Sequence, residues 1–205
     1  MSDLYANLSI RFVCSLAKNG TTPVLFRSYQ NDKAVDMLGA PECTIWEAAR
    51  ATSAAPTFFD SIKVGRQEYV DGAVGFNNPV EVVLSEAREI WPGCEPTIQC
   101  LASLGTGVPA PKSFGDNLYE VSKTLMRMAT ETETTQERFL KTHGMTWLDG
   151  RYFRFNVPGG LGDIQLYEHE RLGETEAVTA AYLGGTLVKE SVENFVWARA
   201  PLDSK

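Results

Sequence analysis

The sequence predicts a layered α/β fold, and three observations lead there. Short alternating or apolar runs interleave with segments whose apolar residues recur every three or four positions, so strands and helices follow one another. Cap and turn residues punctuate those segments. Hydrophobic residues make up 43% of the 205 residues, enough apolar surface for a sizeable core.

Ser9 to Cys14 alternates and reads as a strand, and Pro23 to Tyr29 reads as a second across the Lys18-Asn19-Gly20 turn signal. Thr44-Ile45-Trp46-Glu47 is a capping box. The Thr hydroxyl can accept from an early backbone N–H while the Glu carboxylate reaches back to the cap. It opens an Ala-rich helix that should end before Pro56. Tyr69-Val70 is a short strand leading into Asp71-Gly72.

Asn78-Pro79 predicts the next helix start, with Asn at the N-cap and Pro at the first helical position. Val80, Val83, Leu84, Ala87, Ile90 and Trp91 form its apolar stripe, and Pro92-Gly93 stops it. Ile98 to Leu104 is a strand running into Gly105-Thr106-Gly107. A long helix follows from about Asn117, with Leu118, Val121, Leu125 and Met128 on one face. Tyr152 to Val157 is a strand with Phe153, Phe155 and Val157 on one side. One final helix carries Val178, Ala181, Tyr182, Val188, Val192 and Phe195, and Ala200-Pro201 lies at its end.

Composition excludes several functions. The net charge is −7, shared by both halves of the chain, so there is no electrostatic footprint for nucleic acid. No apolar run is long enough for a membrane helix. The N-terminal residues lack the basic and apolar regions of a secretory signal, so a cytoplasmic location is expected. Cys14, Cys43, Cys94 and Cys100 include no Cys-x-x-Cys pair. With only His143 and His169 to join them they predict free thiols, not a zinc or disulfide frame, and no metal or cofactor is expected.

The densest segment is Tyr69-Val-Asp-Gly-Ala-Val-Gly-Phe-Asn-Asn-Pro79. An aspartate just past a strand and before a glycine can project a carboxylate from a tight turn; taken alone it reads first as a surface Asp-Gly hairpin turn. Its setting is more specific. The helix Ala49-Arg-Ala-Thr-Ser-Ala-Ala-Pro56 precedes it, and the strand end Ser103-Leu-Gly-Thr-Gly107 follows. With Tyr152-Phe-Arg-Phe-Asn-Val157, this order resembles the second half of the patatin-like phospholipase domain, particularly in fungal proteins, over residues 11–198.

The resemblance implies a layered α/β/α fold related to the α/β-hydrolases, here incomplete at its N-terminal side, as one domain portion spanning residues 1–205. It implies a lipid acyl hydrolase with a Ser-Asp dyad, acting on a lipid ester or phospholipid. In that family a serine in a Gly-x-Ser-x-Gly elbow attacks the ester carbonyl, an aspartate acts as general base, and an upstream Gly-rich loop receives the oxyanion. Asp71 carries over as the general base, with Gly72 and Ala73 completing its turn. No two glycines of this sequence are four positions apart, so no Gly-x-Ser-x-Gly is present, and no triple-glycine loop is either.

The expectation is therefore half a dyad, inactive alone, whose serine belongs to a missing N-terminal half or a partner chain. The alternative is a non-catalytic lipid-binding or regulatory module. Ser53 and Ser103 lack an elbow and are expected to pack. Gly105-Thr106-Gly107 reads as a strand-end turn instead of a phosphate cradle. Glu131 and Glu133 read as exposed helix carboxylates, His169 as a solvated residue and His143 as part of a loop.

Overall fold

The computed structural model describes residues 12–31, 42–56, 58–108, 119–144, 148–159, 161, 164 and 168–199, with backbone only over 119–130. They form two compact units, Met1–Pro92 and Gly93–Lys205. The chain is mixed α/β, with helices flanking its sheets, consistent with a layered patatin-like α/β/α fold. No helix of the described residues is long and apolar enough to cross a membrane.

In the first unit, β1 (Phe12–Ala17) and β2 (Pro23–Arg27) form an antiparallel hairpin, with Phe12 opposite Arg27 and Leu16 opposite Pro23. Residues 9–11 of the expected first strand lie outside the described residues. Pro23 is tolerated because β2 is an edge strand among the described residues. A second hairpin joins β3 (Ile62–Val64) to β4 (Gln67–Asp71) through Gly65, whose φ of 62° suits a glycine. Pairing of β1 with β4 gives the order β2-β1-β4-β3.

The two-residue period then assigns the faces. Phe26, Val64 and Tyr69 are buried with Ala51 of α1 (Ile45–Thr52), and Val13, Val24 and Ile62 border them. The capping box forms as expected: Thr44 Oγ1 accepts from the Glu47 N–H at 3.4 Å, and the Glu47 carboxylate accepts from the Thr44 N–H at 2.7 Å. On the opposite face Leu16 and Leu25 are buried, and Arg27 reaches α3 (Val80–Ile90). The sheet lies between α1 and α3.

A short kinked helix, α2 (Ala73–Phe76), separates β4 from α3, with Gly75 at φ 106°. The start of α3 departs from expectation. Pro79, not Asn78, is the N-cap, its carbonyl accepting from the Val83 N–H at 2.9 Å, and no side chain caps the helix. Asn77 is already helical (φ −62°, ψ −29°), so the chain does not enter through the extended conformation that a side-chain cap favours, and Asn78 is buried instead.

In the second unit, β5 (Leu101–Leu104) runs parallel to β6 (Tyr152–Phe155), with Leu101 opposite Tyr152 and Leu104 opposite Phe155. β5 begins later than expected because Glu95–Thr97 is a 3₁₀ turn and the Ile98 N–H bonds back to Cys94. α4 (Tyr119–His143) lies on one face, with Phe139 against the Tyr152 ring at 5.2 Å between centroids. The expected stripe of Leu118, Val121, Leu125 and Met128 lies outside the described side chains.

The single final helix expected is two, α5 (Leu172–Gly184) and α6 (Thr186–Arg199). Gly185 is extended (φ −65°, ψ 140°) and breaks the helical hydrogen bonding there. Phe195 of α6 packs edge-on against Phe153 and Phe155, on the face of β6 opposite α4. Phe153, Phe155 and Val157 thus share a side, as the alternation predicts. Ala200 and Pro201 lie outside the described residues.

Candidate active site

Asp71 closes β4 and is half-buried. Its position is set almost entirely by backbone. Its N–H donates to the Ala54 carbonyl at 3.0 Å, Ser15 of β1 lies opposite it in the ladder, and its Oδ1 accepts from the Ala73 N–H at 2.8 Å. That last bond is an Asx turn, which aims the carboxylate back over the start of α2. Burial raises the Asp71 pKa above its ordinary 3.8, and the Ala73 N–H offsets only part of that. Among the described residues Asp71 has no cationic partner.

The Ala49–Pro56 segment is what brings the α1 end this close. Ala51 and Ala54 are fully buried and Ala55 nearly so, where larger side chains would separate helix and sheet. The Thr52 hydroxyl donates to the Cys14 carbonyl at 2.6 Å. The wholly buried Ser15 hydroxyl lies 2.6 Å from the Val70 carbonyl and 3.2 Å from that of Ala51, clamping β4 to α1. Sequence reasoning missed Ser15 and Thr52; an isolated hydroxyl in an apolar strand and another at a helix end were the available signals.

Gly72 is required by space, not by conformation. A Cβ there would sit 2.6 Å from the Cys14 carbonyl oxygen, inside any real contact distance. Cys14 is a free thiol beside this turn, its pKa pushed up to about 11 by burial and by the Asp71 charge, so it stays protonated at neutral pH. Ala73, half-buried, supplies only its N–H. The three residues of the expected turn are thus brought together.

Neither spare serine stands in an elbow. Ser53 is exposed and its hydroxyl bonds back to the Ala49 carbonyl at 2.8 Å, as at many helix ends. Ser103 is buried in the second unit and accepts from Arg154 at 2.9 Å. The Gly105 N–H donates to Phe155 O and the Gly107 N–H to Asn156 Oδ1, so these groups hold the strand-end turn and are not aimed at a phosphate.

Two expectations are corrected here. Glu133 is not a solvated helix carboxylate: it is half-buried and accepts from Asn156 at 2.8 Å and from the buried Arg154 at 3.4 Å. β6 places Arg154 and Asn156 on the face turned to α4, and that pairing draws Glu133 in. His143 is not in a loop but ends α4, its ring 4.9 Å from Phe139. His169 is exposed as expected.

Residues 3–84, which contain Asp71 and its whole support, match the family model of patatin-like phospholipases. The chain is similar to the calcium-independent phospholipase A2-gamma of Rattus norvegicus, 32% identical over 178 residues, covering 83% of this chain and 22% of that protein. The human protein of that name is 31% identical over 178 residues, covering the same shares. Phospholipase A I of Arabidopsis thaliana is 35% identical over 121 residues, covering 58% of this chain and 9% of that protein. The chain therefore spans about a fifth of the length of the mammalian relatives.

Fold and matches define the class first: a mixed α/β protein with the homology of a lipid hydrolase. At the family level, the sequence is that of a patatin-like phospholipase domain.

Proposed function

We propose that this chain is the later portion of a patatin-like lipid acyl hydrolase, contributing the general base Asp71 to a Ser-Asp dyad whose serine lies on residues outside the 205. Residues 1–205 are read as one portion of that domain, and the substrate as a lipid ester or phospholipid. The observation that carries the reading is the Asp71 carboxylate itself: half-buried and, among the described residues, oriented by backbone and raised in pKa without a cation beside it. A carboxylate in that state is a stronger base than a solvated one.

The chemistry follows in two steps. A serine hydroxyl within hydrogen-bond reach gives its proton to Asp71 as its oxygen attacks the ester carbonyl. Collapse of the tetrahedral intermediate breaks the ester bond, and Asp71 returns the proton to the leaving alcohol. Water then attacks the acyl-serine with Asp71 again accepting the proton, and Asp71 gives that proton to the departing serine oxygen, releasing the fatty acid and restoring the serine. Ala73 N–H holds the carboxylate in place.

The test is labelling with a serine-directed fluorophosphonate. The chain alone is expected to give neither labelling nor ester hydrolysis. Addition of a separately expressed patatin-like segment carrying Gly-x-Ser-x-Gly should give labelling of that segment, and Asp71→Asn in the present chain should abolish the gain. Labelling of the chain alone, or a gain indifferent to Asp71→Asn, overturns the reading.

A further inference from the structure

We infer that Ser15 is a positioning residue for Asp71, its buried hydroxyl fixing the Val70–Asp71 peptide and so the place of the carboxylate; this rests on the function proposed above. The β1–β4 ladder shows why a hold is needed there. The Lys18 N–H donates to the Glu68 carbonyl at 2.9 Å, and bonded and unbonded pairs alternate from that point, which makes Ser15–Asp71 an unbonded pair. The Asp71 N–H therefore points away from β1, and it donates at 3.0 Å to the Ala54 carbonyl just past α1.

Ser15 grips the other end of the same peptide. Opposed residues share a face of the sheet, so Ser15 and Asp71 lie on the face that Tyr69 turns to α1. The wholly buried hydroxyl has one proton and two carbonyls within reach, that of Val70 at 2.6 Å and that of Ala51 at 3.2 Å. The Val70 carbonyl and the Asp71 N–H belong to one peptide, which is thus bonded at both ends. A peptide plane held at both ends fixes the Cα that follows it. From that Cα the Ala73 N–H, at 2.8 Å, sets the direction of the carboxylate.

A second hydroxyl separates this role from simple adhesion. Thr52 joins α1 to β1 by donating to the Cys14 carbonyl at 2.6 Å, so the helix is pinned to the sheet without Ser15. What Ser15 adds is its hold on the peptide leading into Asp71. The surroundings of the carboxylate leave its titration readable. Cys14 of β1 stays protonated, the end of α1 presents the Ala51 and Ala54 carbonyls, and α2 presents the Ala73 N–H. No charged side chain of the described residues shifts it. Loss of the hold admits water, and the burial that raises the Asp71 pKa then weakens.

The experiment uses the full chain and follows the Asp71 carboxyl by carbon NMR across the acid range, with amide exchange as a second reading. In Ser15→Ala, which is smaller and fits the site, the Asp71 midpoint should fall toward 3.8. The Asp71 and Ala73 amides should exchange about tenfold faster or more relative to the rest of the sheet, the worth of one buried hydrogen bond. Thr44→Ala is the control: it breaks the capping box at the far end of α1 and lowers stability, yet should leave the Asp71 midpoint and those relative rates unchanged. With the Gly-x-Ser-x-Gly segment added, labelling should slow about tenfold for Ser15→Ala and hold for Thr44→Ala.

A midpoint and amides unmoved in Ser15→Ala, or moved equally in Thr44→Ala, overturn the positioning role, while labelling that depends on Asp71 still supports the dyad. A shift confined to Ser15→Ala, with no labelling from the wild-type chain, supports the hold on Asp71 and overturns the dyad. Labelling that Asp71→Asn abolishes and Ser15→Ala leaves undiminished overturns Ser15 as a positioning residue for the reaction.

Discussion

Two carboxylates of the first unit, Asp71 and Glu86, are handled in opposite ways, and the difference separates a carboxylate that burial destabilises from one that its partners satisfy. Glu86 sits on α3 with its side chain 5% exposed, facing the 8% exposed guanidinium of Arg27 on β2. Arg27 grips both carboxylate oxygens at 2.5 and 2.9 Å, the Tyr29 hydroxyl donates at 2.7 Å and the Asn31 amide at 3.2 Å. Burial alone would raise the Glu86 pKa, but these donors outweigh it and lower it below 4.5. Among the described residues Asp71 has one backbone donor and no cation, and burial prevails. Four donor contacts favour the charged carboxylate over burial; one does not.

The largest expected effect comes from breaking the satisfied carboxylate. Arg27→Met leaves Glu86 buried and uncompensated and should cost about 3–5 kcal/mol of unfolding free energy in urea titrations. A loss below about 1 kcal/mol would show the pair to be solvated. The pH dependence sharpens the test. Because the folded Glu86 pKa lies below its unfolded value near 4.5, its contribution is complete above 4.5 and disappears as pH falls through the folded value. Arg27→Met should flatten that acid limb.

This pair also shows where reading the sequence stops. The capping box at Thr44 and the β1–β2 hairpin are set by neighbours a few residues apart, so local pattern suffices. Asp71 was legible because its turn stands in a recognisable order of motifs. Arg27 and Glu86 are 59 residues apart, and their only trace is a charge at the end of an apolar strand and another amid the stripe of Val83, Leu84, Ala87 and Ile90. β3 has three residues, too few for a period to declare itself. Glu133 looked solvated because its partners, Arg154 and Asn156, arrive from another element.

A middling effect is expected where the Asp71 turn passes β1. Gly72→Ala puts a methyl 2.6 Å from the Cys14 carbonyl, against backbone that cannot give way cheaply. The cost should be about 1–3 kcal/mol, as for overpacking elsewhere, seen as a lowered urea midpoint. Gly173→Ala is the control: in α5, where an added methyl meets nothing within 4 Å, alanine should be neutral or stabilise by up to about 1 kcal/mol. Equal effects at the two sites would mean that Gly72 matters only for chain entropy.

The smallest effect on stability is expected at Asp71, the proposed general base. Asp71→Asn keeps an oxygen to accept from the Ala73 N–H and removes the half-buried charge. The folded pKa of Asp71 lies above its unfolded 3.8, so the folded state holds the proton more tightly. The wild-type chain therefore loses stability as pH rises from about 3.8 through the folded value. The asparagine variant carries no such loss. It should match the wild type in acid and equal or exceed it at neutral pH, with a difference of no more than about 1 kcal/mol. Urea midpoints from pH 3 to 7 check this. If Asp71→Asn were instead as damaging as Arg27→Met, the carboxylate would be holding the turn together and the contrast with Glu86 would collapse. A stable Asp71→Asn variant that also fails to support labelling places Asp71 among residues retained for reaction at a small cost in stability.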